Sequence, residues 1–265
     1  MKTIMRLMPG QSVLWLLFFA GVLAAWSMLF AMQASAPDAL GRDWSGAAYL
    51  WSLCSGTVAD AGYLSAFVMW ALMALAMMAP TAFPAFRTYQ DLTHAGAANA
   101  MSVAVLITGY LMVWLGFSVI AAVLQVQLAG LGFVDAAGRS TSAALNGALL
   151  LLAGLYQFST LKDACLSACK SPMTFFMGHW QPGLSGAFRL GLRLGAVCLG
   201  CCWALMLLAF VAGTMNLAFM GLAMVLMTLE KLPQIGTKLS APLGVFLLLA
   251  GATVIVLPFA TSIQI

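Results

Sequence analysis

In the stretch "CLGCCW", residues 198–203, three cysteines fall at i, i+3 and i+4. On a helix that spacing puts Cys198, Cys201 and Cys202 on one face, with neighbouring Cβ atoms about 5–6 Å apart. One helix therefore offers a triangle of sulfurs. Cys165 and Cys169, four apart in "KDACLSACK", form a second pair whose thiols share a helical face. Five of the six cysteines lie between 165 and 202, and the sixth, Cys54, stands alone and reads as packing.

Reduced, clustered sulfur suits soft metals: Cu(I) above all, with Zn or an iron–sulfur cluster as lesser fits. Thioethers extend the preference, and the chain carries 18 methionines. Met206 stands one turn beyond Cys202, while Met173, Met177 and His179 follow the first cysteine pair. In "MALAMMAP", 73–80, Met77 and Met78 lie toward the same end of their helix as the thiols. The candidate metal ligands are therefore Cys165, Cys169, Cys198, Cys201, Cys202, Met77, Met78, His179 and Met206. Lys170, Arg189 and Arg193 could offset the charge of bound thiolates.

Two other readings compete. "CLGC", 198–201, is a Cys-x-x-Cys pair that could cycle between dithiol and disulfide, making the protein a membrane thiol oxidoreductase through Cys198 and Cys201. Alternatively the cysteines are small apolar packing residues in a non-catalytic subunit of a membrane complex. No catalytic residue stands out. Phosphate-loop, HExxH, GxSxG, dinucleotide and CxxCH patterns do not occur, which argues against ATP-driven pumping, ordinary hydrolysis and covalent haem.

The elements that must position these sulfurs are membrane helices. Hydrophobic residues make up 63% of the 265 and charged residues 7%, against about 25% charged in a soluble domain. The long apolar runs do not alternate as barrel strands do. The fold class is all-α, a single integral membrane domain, 1–265, with about seven spans at 12–33, 63–86, 101–128, 143–161, 194–213, 216–230 and 241–261. The sixth is short and is divided from the fifth only by the turn "GTMN", 213–216.

Charge placement sets an orientation, because cytoplasmic loops carry the excess of Lys and Arg. With the N-terminus inside, Lys2, Arg6, Arg87, Lys162, Lys170, Arg189, Arg193, Lys231 and Lys238 fall inside, against Arg42 and Arg139 outside. Six spans would move Lys231 and Lys238 outward, so seven, N-in and C-out, is favoured. Both cysteine groups then face the reducing cytosol, which disfavours a structural disulfide.

"MKTIMR" and "ASA", 34–36, resemble a cleavable signal, but an apolar core of about 20 residues from Val13 exceeds the ~7–15 of a signal and reads as a retained anchor. The outside segment 34–62 holds Asp38, Arg42, Asp43, Trp44, Trp51, Cys54 and Asp60, its tryptophans reading as interfacial anchors. The inside loop 162–193 is expected along the membrane surface. Pro80 and Pro84 should bend the second span and free carbonyls. Tyr110, Asn146, Tyr156, Gln157 and Asn216 are expected to hydrogen-bond between helices. Glu230, the sole glutamate, is expected to pair with Lys231 or a neighbouring loop.

Several runs carry a resemblance: "MWALMALAMMAPTAFP" (69–84), "GLYQFSTLKDACLSACKSP" (154–172), "GAVCLGCCWALM" (195–206), "GTMNLAFM" (213–220) and "EK" (230–231). Over roughly 63–250 the chain resembles a bacterial integral membrane family catalogued as predicted metal-binding proteins of unknown function. Phe219 stands where that pattern often has tryptophan. The resemblance implies a multi-pass protein of the bacterial inner membrane that binds metal. The expected partners are the bilayer and a metal chaperone or a membrane-complex subunit, with no nucleic acid.

Overall fold

The structure, a computed structural model, describes residues 9–34, 62–94, 100–135, 138–214, 216–232 and 234–262. Lys2, Arg6 and the segment 35–61, with Asp38, Arg42, Asp43, Trp44, Trp51, Cys54 and Asp60, lie outside the described residues. The described fold is all-α: α1 (Pro9–Ala34), α2 (Tyr63–His94), α3 (Ala100–Gly130), α4 (Ala143–Tyr156), α5 (Thr160–Lys170), α6 (Pro172–His179), α7 (Gly183–Leu207), α8 (Ala209–Ala212), α9 (Leu217–Lys231) and α10 (Gly236–Ser262). One isolated bridge, Val134 to Ser140, is the only β pairing among these residues.

Five stretches are long and apolar enough to cross a membrane: Ser12–Met32, Tyr63–Leu92, Met101–Gly130, Gly183–Ala212 and Lys238–Val256. A sixth arises if α4 and α5, bent by 62° at their junction, form one broken span. The break has a local cause. Ser159 takes an extended conformation and its side chain accepts from the Lys162 N–H, capping a new helix. The expected sixth span is α9, whose 15 residues reach about 22 Å at 1.5 Å per residue, short of a ~30 Å hydrocarbon core. The turn before it is present: Gly213 has φ +95°, and the Asn216 side chain caps α9 by accepting from the Phe219 N–H. Asn216 thus serves its own helix, where interhelical bonding had been expected.

The central contact is α3 against α7. It follows from "GLRLG", 191–195, which leaves a groove one turn long on α7. A Cβ at Gly191 would collide with the Leu106 carbonyl, and one at Gly109 would lie 2.5 Å from the Phe188 carbonyl oxygen. Without side chains here the two backbones approach closely, as small residues permit in membrane bundles. Cys198 is the next residue on this stripe after Gly195, so the groove aims it at α3.

α2 also packs against α3. Pro80 lacks the N–H that would bond the Ala76 carbonyl, and Trp26 of α1 donates to that oxygen at 3.0 Å. Trp15 donates to Gln90 Oε1 at 2.8 Å, fixing a second point between α1 and α2. α4 pairs with α10, where Gly147 and Gly251 face each other.

Candidate metal centre

Cys198, Cys201 and Cys202 are buried in α7 with their sulfurs all within 4.8 Å of one another. The thiols of Cys201 and Cys202 both donate to the Cys198 carbonyl, at 3.0 and 2.9 Å, the usual back-bond to the preceding turn. Cys202 Sγ lies 3.8 Å from Met78 Sδ on α2. No disulfide links these cysteines, nor Cys165 or Cys169.

α5 brings the second pair to this face. Its buried residues Lys162 and Leu166 turn it against α7. Cys169 lines the same cavity wall as Cys198. Cys165 packs on α7 where Gly200 leaves room, since a Cβ there would sit 2.6 Å from Cys165 Sγ. The two cysteine groups therefore meet, with Cys169 at the cluster and Cys165 beside it.

Cys198 is the sulfur with the most polar company. The Tyr110 hydroxyl is 3.2 Å away and also donates to the Met78 carbonyl at 3.0 Å, tying α3 to α2 just before Pro80. Lys231 Nζ, at the end of α9, lies 3.2 Å from Cys198 Sγ and donates to Thr81 Oγ1 at 2.7 Å. A lysine ammonium thus stands where a thiolate would carry its charge. Arg189 and Arg193, expected to help, are exposed and line no part of the cavity beside the cluster, whereas Lys170 does line it.

The remaining expected ligands are placed differently. Met77 and Met206 line a small separate cavity with Met73 and Met220. His179 stands outside the thiol group, its Nδ1 2.9 Å from the Phe175 carbonyl oxygen and its ring tilted by 37° against that of Phe175. Glu230 does not pair with Lys231. Successive helix residues do not face each other, and Glu230 turns instead to Lys162, whose Nζ donates to its two oxygens at 2.8 and 2.9 Å. Both members of this ion pair are buried; Gln157 also accepts from Lys162, and Ser240 donates to Glu230 at 3.2 Å.

Sequence spacing gave no sign that Lys231 and Thr81 meet the cluster, because each contact joins distant segments. For Glu230 the expected alternative of a neighbouring loop is met by Lys162, the first residue of the inside loop 162–193, rather than by Lys231.

A family model described as PpoB2, copper chaperone, matches residues 67–254, from α2 into α10 and across every residue of the cluster. The chain belongs to the PpoB2 family. No curated protein and no solved structure matches it. The match agrees with the metal-handling part of the resemblance, and the family is described as a copper chaperone. Within the matched residues this chain carries a buried cysteine cluster capable of holding a soft metal ion.

Proposed function

We propose that the protein takes up Cu(I) at Cys198, Cys201 and Cys202, with Cys169 and Met78 as exchange partners, and hands it on within the cytoplasmic membrane of a bacterium. The observation that carries this is the triangle of three buried sulfurs. Three ligands around an ion at bonds near 2.3 Å sit about 4.0 Å apart, so sulfurs within 4.8 Å need close by less than about 1 Å. Side-chain rotation away from the Cys198 carbonyl supplies that movement.

The donor set supports copper over zinc or an iron–sulfur cluster. Around the triangle stand another thiol and a thioether, and no carboxylate or imidazole joins the group among the described residues. Thiolate and thioether together favour Cu(I). More sulfurs than one coordination sphere needs allow the ion to move by exchanging one Cu–S bond for another. Met77 and Met206, in their methionine-lined cavity one turn deeper, are the next thioethers along such a route. Cys165 serves as a reserve thiol beside the cluster, and His179 as a ligand nearer the surface during delivery.

The orientation we assign is N-in and C-out with seven crossings, α9 being a short one. Two features support it. Thr81, Lys170 and Lys231 share one cavity, so the lysines at the ends of α5 and α9 meet there beside the C-terminal half of α2. α9 also returns antiparallel beside α7, since Met220 meets Met206 and Lys231 meets Cys198. The cluster then faces the cytosol, where a soluble metal chaperone or a membrane-complex partner would exchange copper with it.

Metal analysis of the purified, reduced protein tests the reading. About one copper per chain is expected after loading, and Cys198→Ser/Cys201→Ser/Cys202→Ser should abolish it. Copper retained by that variant overturns the assignment, as does a reversible dithiol–disulfide couple that turns over with no bound metal.

A further inference from the structure

The thiol cluster ends in a cavity of about 300 Å³. A single ion needs nothing like that space, since even a water molecule occupies only ~30 Å³ of the liquid. The volume instead matches the lower end of pockets for small organic ligands, ~300–1,000 Å³. Cys169 and Cys198 form its sulfur wall, Thr81 and Tyr110 give hydroxyls, and Lys170 and Lys231 give two ammonium groups. Its rim includes the exposed residues Pro84, Thr228 and Leu232, so the space is open from outside to the buried Cys198.

The charge of that wall is the informative feature. Among the described residues it holds two lysines and no carboxylate, and neither lysine forms an ion pair with a carboxylate there. A bare cuprous ion approaching between two ammonium groups would be repelled. Lys231 faces the Cys198 sulfur at 3.2 Å, and Lys170 lines the same wall. The cavity is built to receive negative charge together with whatever reaches the sulfurs.

Resting on the copper reading above, we propose that the cavity admits Cu(I) as a complex with a small anionic thiolate carrier, held by Lys170 and Lys231 while the ion passes to Cys198 and Cys169. The transfer is ligand exchange. A Cu–S bond to the carrier breaks as a Cu–Sγ bond to Cys198 forms, the departing carrier thiolate takes up the proton that Cys198 loses, and copper stays Cu(I) throughout. The carrier is recognised by its carboxylates and its size, not by the metal alone.

The test compares two carriers with the same donor sulfur: cuprous glutathione, whose peptide carries two carboxylates, and cuprous glutathione diethyl ester, which carries none. Copper transfer to the full-length protein is followed in nanodiscs of zwitterionic lipid. Glutathione should load the protein faster than the ester by on the order of tenfold or more. Lys170→Gln should remove that advantage while leaving ester loading and the final copper per chain unchanged. Equal rates for the two carriers with the wild type, or equal slowing of both by Lys170→Gln, would overturn the proposal. So would loss of the glutathione advantage when anionic phospholipid is added, because the lysines would then be a lipid phosphate site. Failure of both carriers to load the wild type at all would instead count against the copper site itself.

Discussion

Lys231 Nζ lies 3.2 Å from Cys198 Sγ, while the preceding residue, Glu230, turns away to meet Lys162 Nζ at 2.8 Å. Two successive side chains at the end of α9 thus hold both halves of the metal centre. One touches the cluster on α7, and the other anchors α5, which carries Cys165 and Cys169. The end of one short helix sets the distance between the two cysteine groups.

Breaking that anchor should be costly. Lys162→Met or Glu230→Gln leaves an unpaired charge or an unmatched polar group in a buried site, and truncating one partner of such a pair costs about 3–5 kcal/mol. Thermal unfolding of the detergent-solubilised protein should show a large loss for either single change. The Lys162→Met/Glu230→Leu double variant should recover much of it, and a double variant as unstable as the two losses combined would contradict the pairing.

The glycine groove makes a graded prediction. Gly191→Ala drives a methyl into the Leu106 backbone carbonyl, and overpacking of this kind costs about 1–3 kcal/mol. Gly116→Ala, with nothing within 4 Å, should cost nothing measurable. Gly200→Ala meets only the Cys165 thiol, which can swing aside, so it should fall between them. Unfolding transitions that rank the three otherwise would contradict the close α3–α7 approach.

Trp26 should matter through one hydrogen bond. Trp26→Phe keeps most of the ring but strips the donor from the Ala76 carbonyl that Pro80 leaves free. A buried acceptor left unsatisfied costs about 1–3 kcal/mol, so the variant should unfold measurably earlier than the wild type. An unchanged transition would mean that the carbonyl finds another partner.

Cys169 and Cys165 should separate by function. Cys169 shares a cavity wall with Cys198, whereas Cys165 sits against Gly200. Loss of a supporting group at a metal site lowers affinity by about 10–100-fold. Competition against a chromogenic cuprous chelator should show that range for Cys169→Ser and little change for Cys165→Ser. The reverse order would move the site toward the outer face of α5.

Much of this centre was legible from local spacing. The i, i+3, i+4 pattern of Cys198, Cys201 and Cys202 needs only a helix to become a triangle, and the helical class follows from composition. Short-range signals also placed the turn at Gly213 and the carbonyl that Pro80 frees, at Ala76, while α2 runs on through both prolines as one helix. What spacing could not supply were contacts between distant segments. Lys231 meets Cys198 across 33 residues, and Lys162 meets Glu230 across 68, each brought together by helix packing. The "GLRLG" stripe was visible in the sequence and would have pointed to the α3–α7 groove. The break at Ser159 was hidden because an N-cap serine inside an otherwise apolar run differs little from a serine within a span.

X-ray absorption at the copper edge on the Cu(I)-loaded protein tests the central claim most directly. The account predicts a first shell of about three sulfurs at bonds near 2.2–2.3 Å, with no nitrogen or oxygen, lost in Cys198→Ser/Cys201→Ser/Cys202→Ser. A first shell of nitrogen or oxygen ligands, or a sulfur shell that survives the triple substitution, would contradict it.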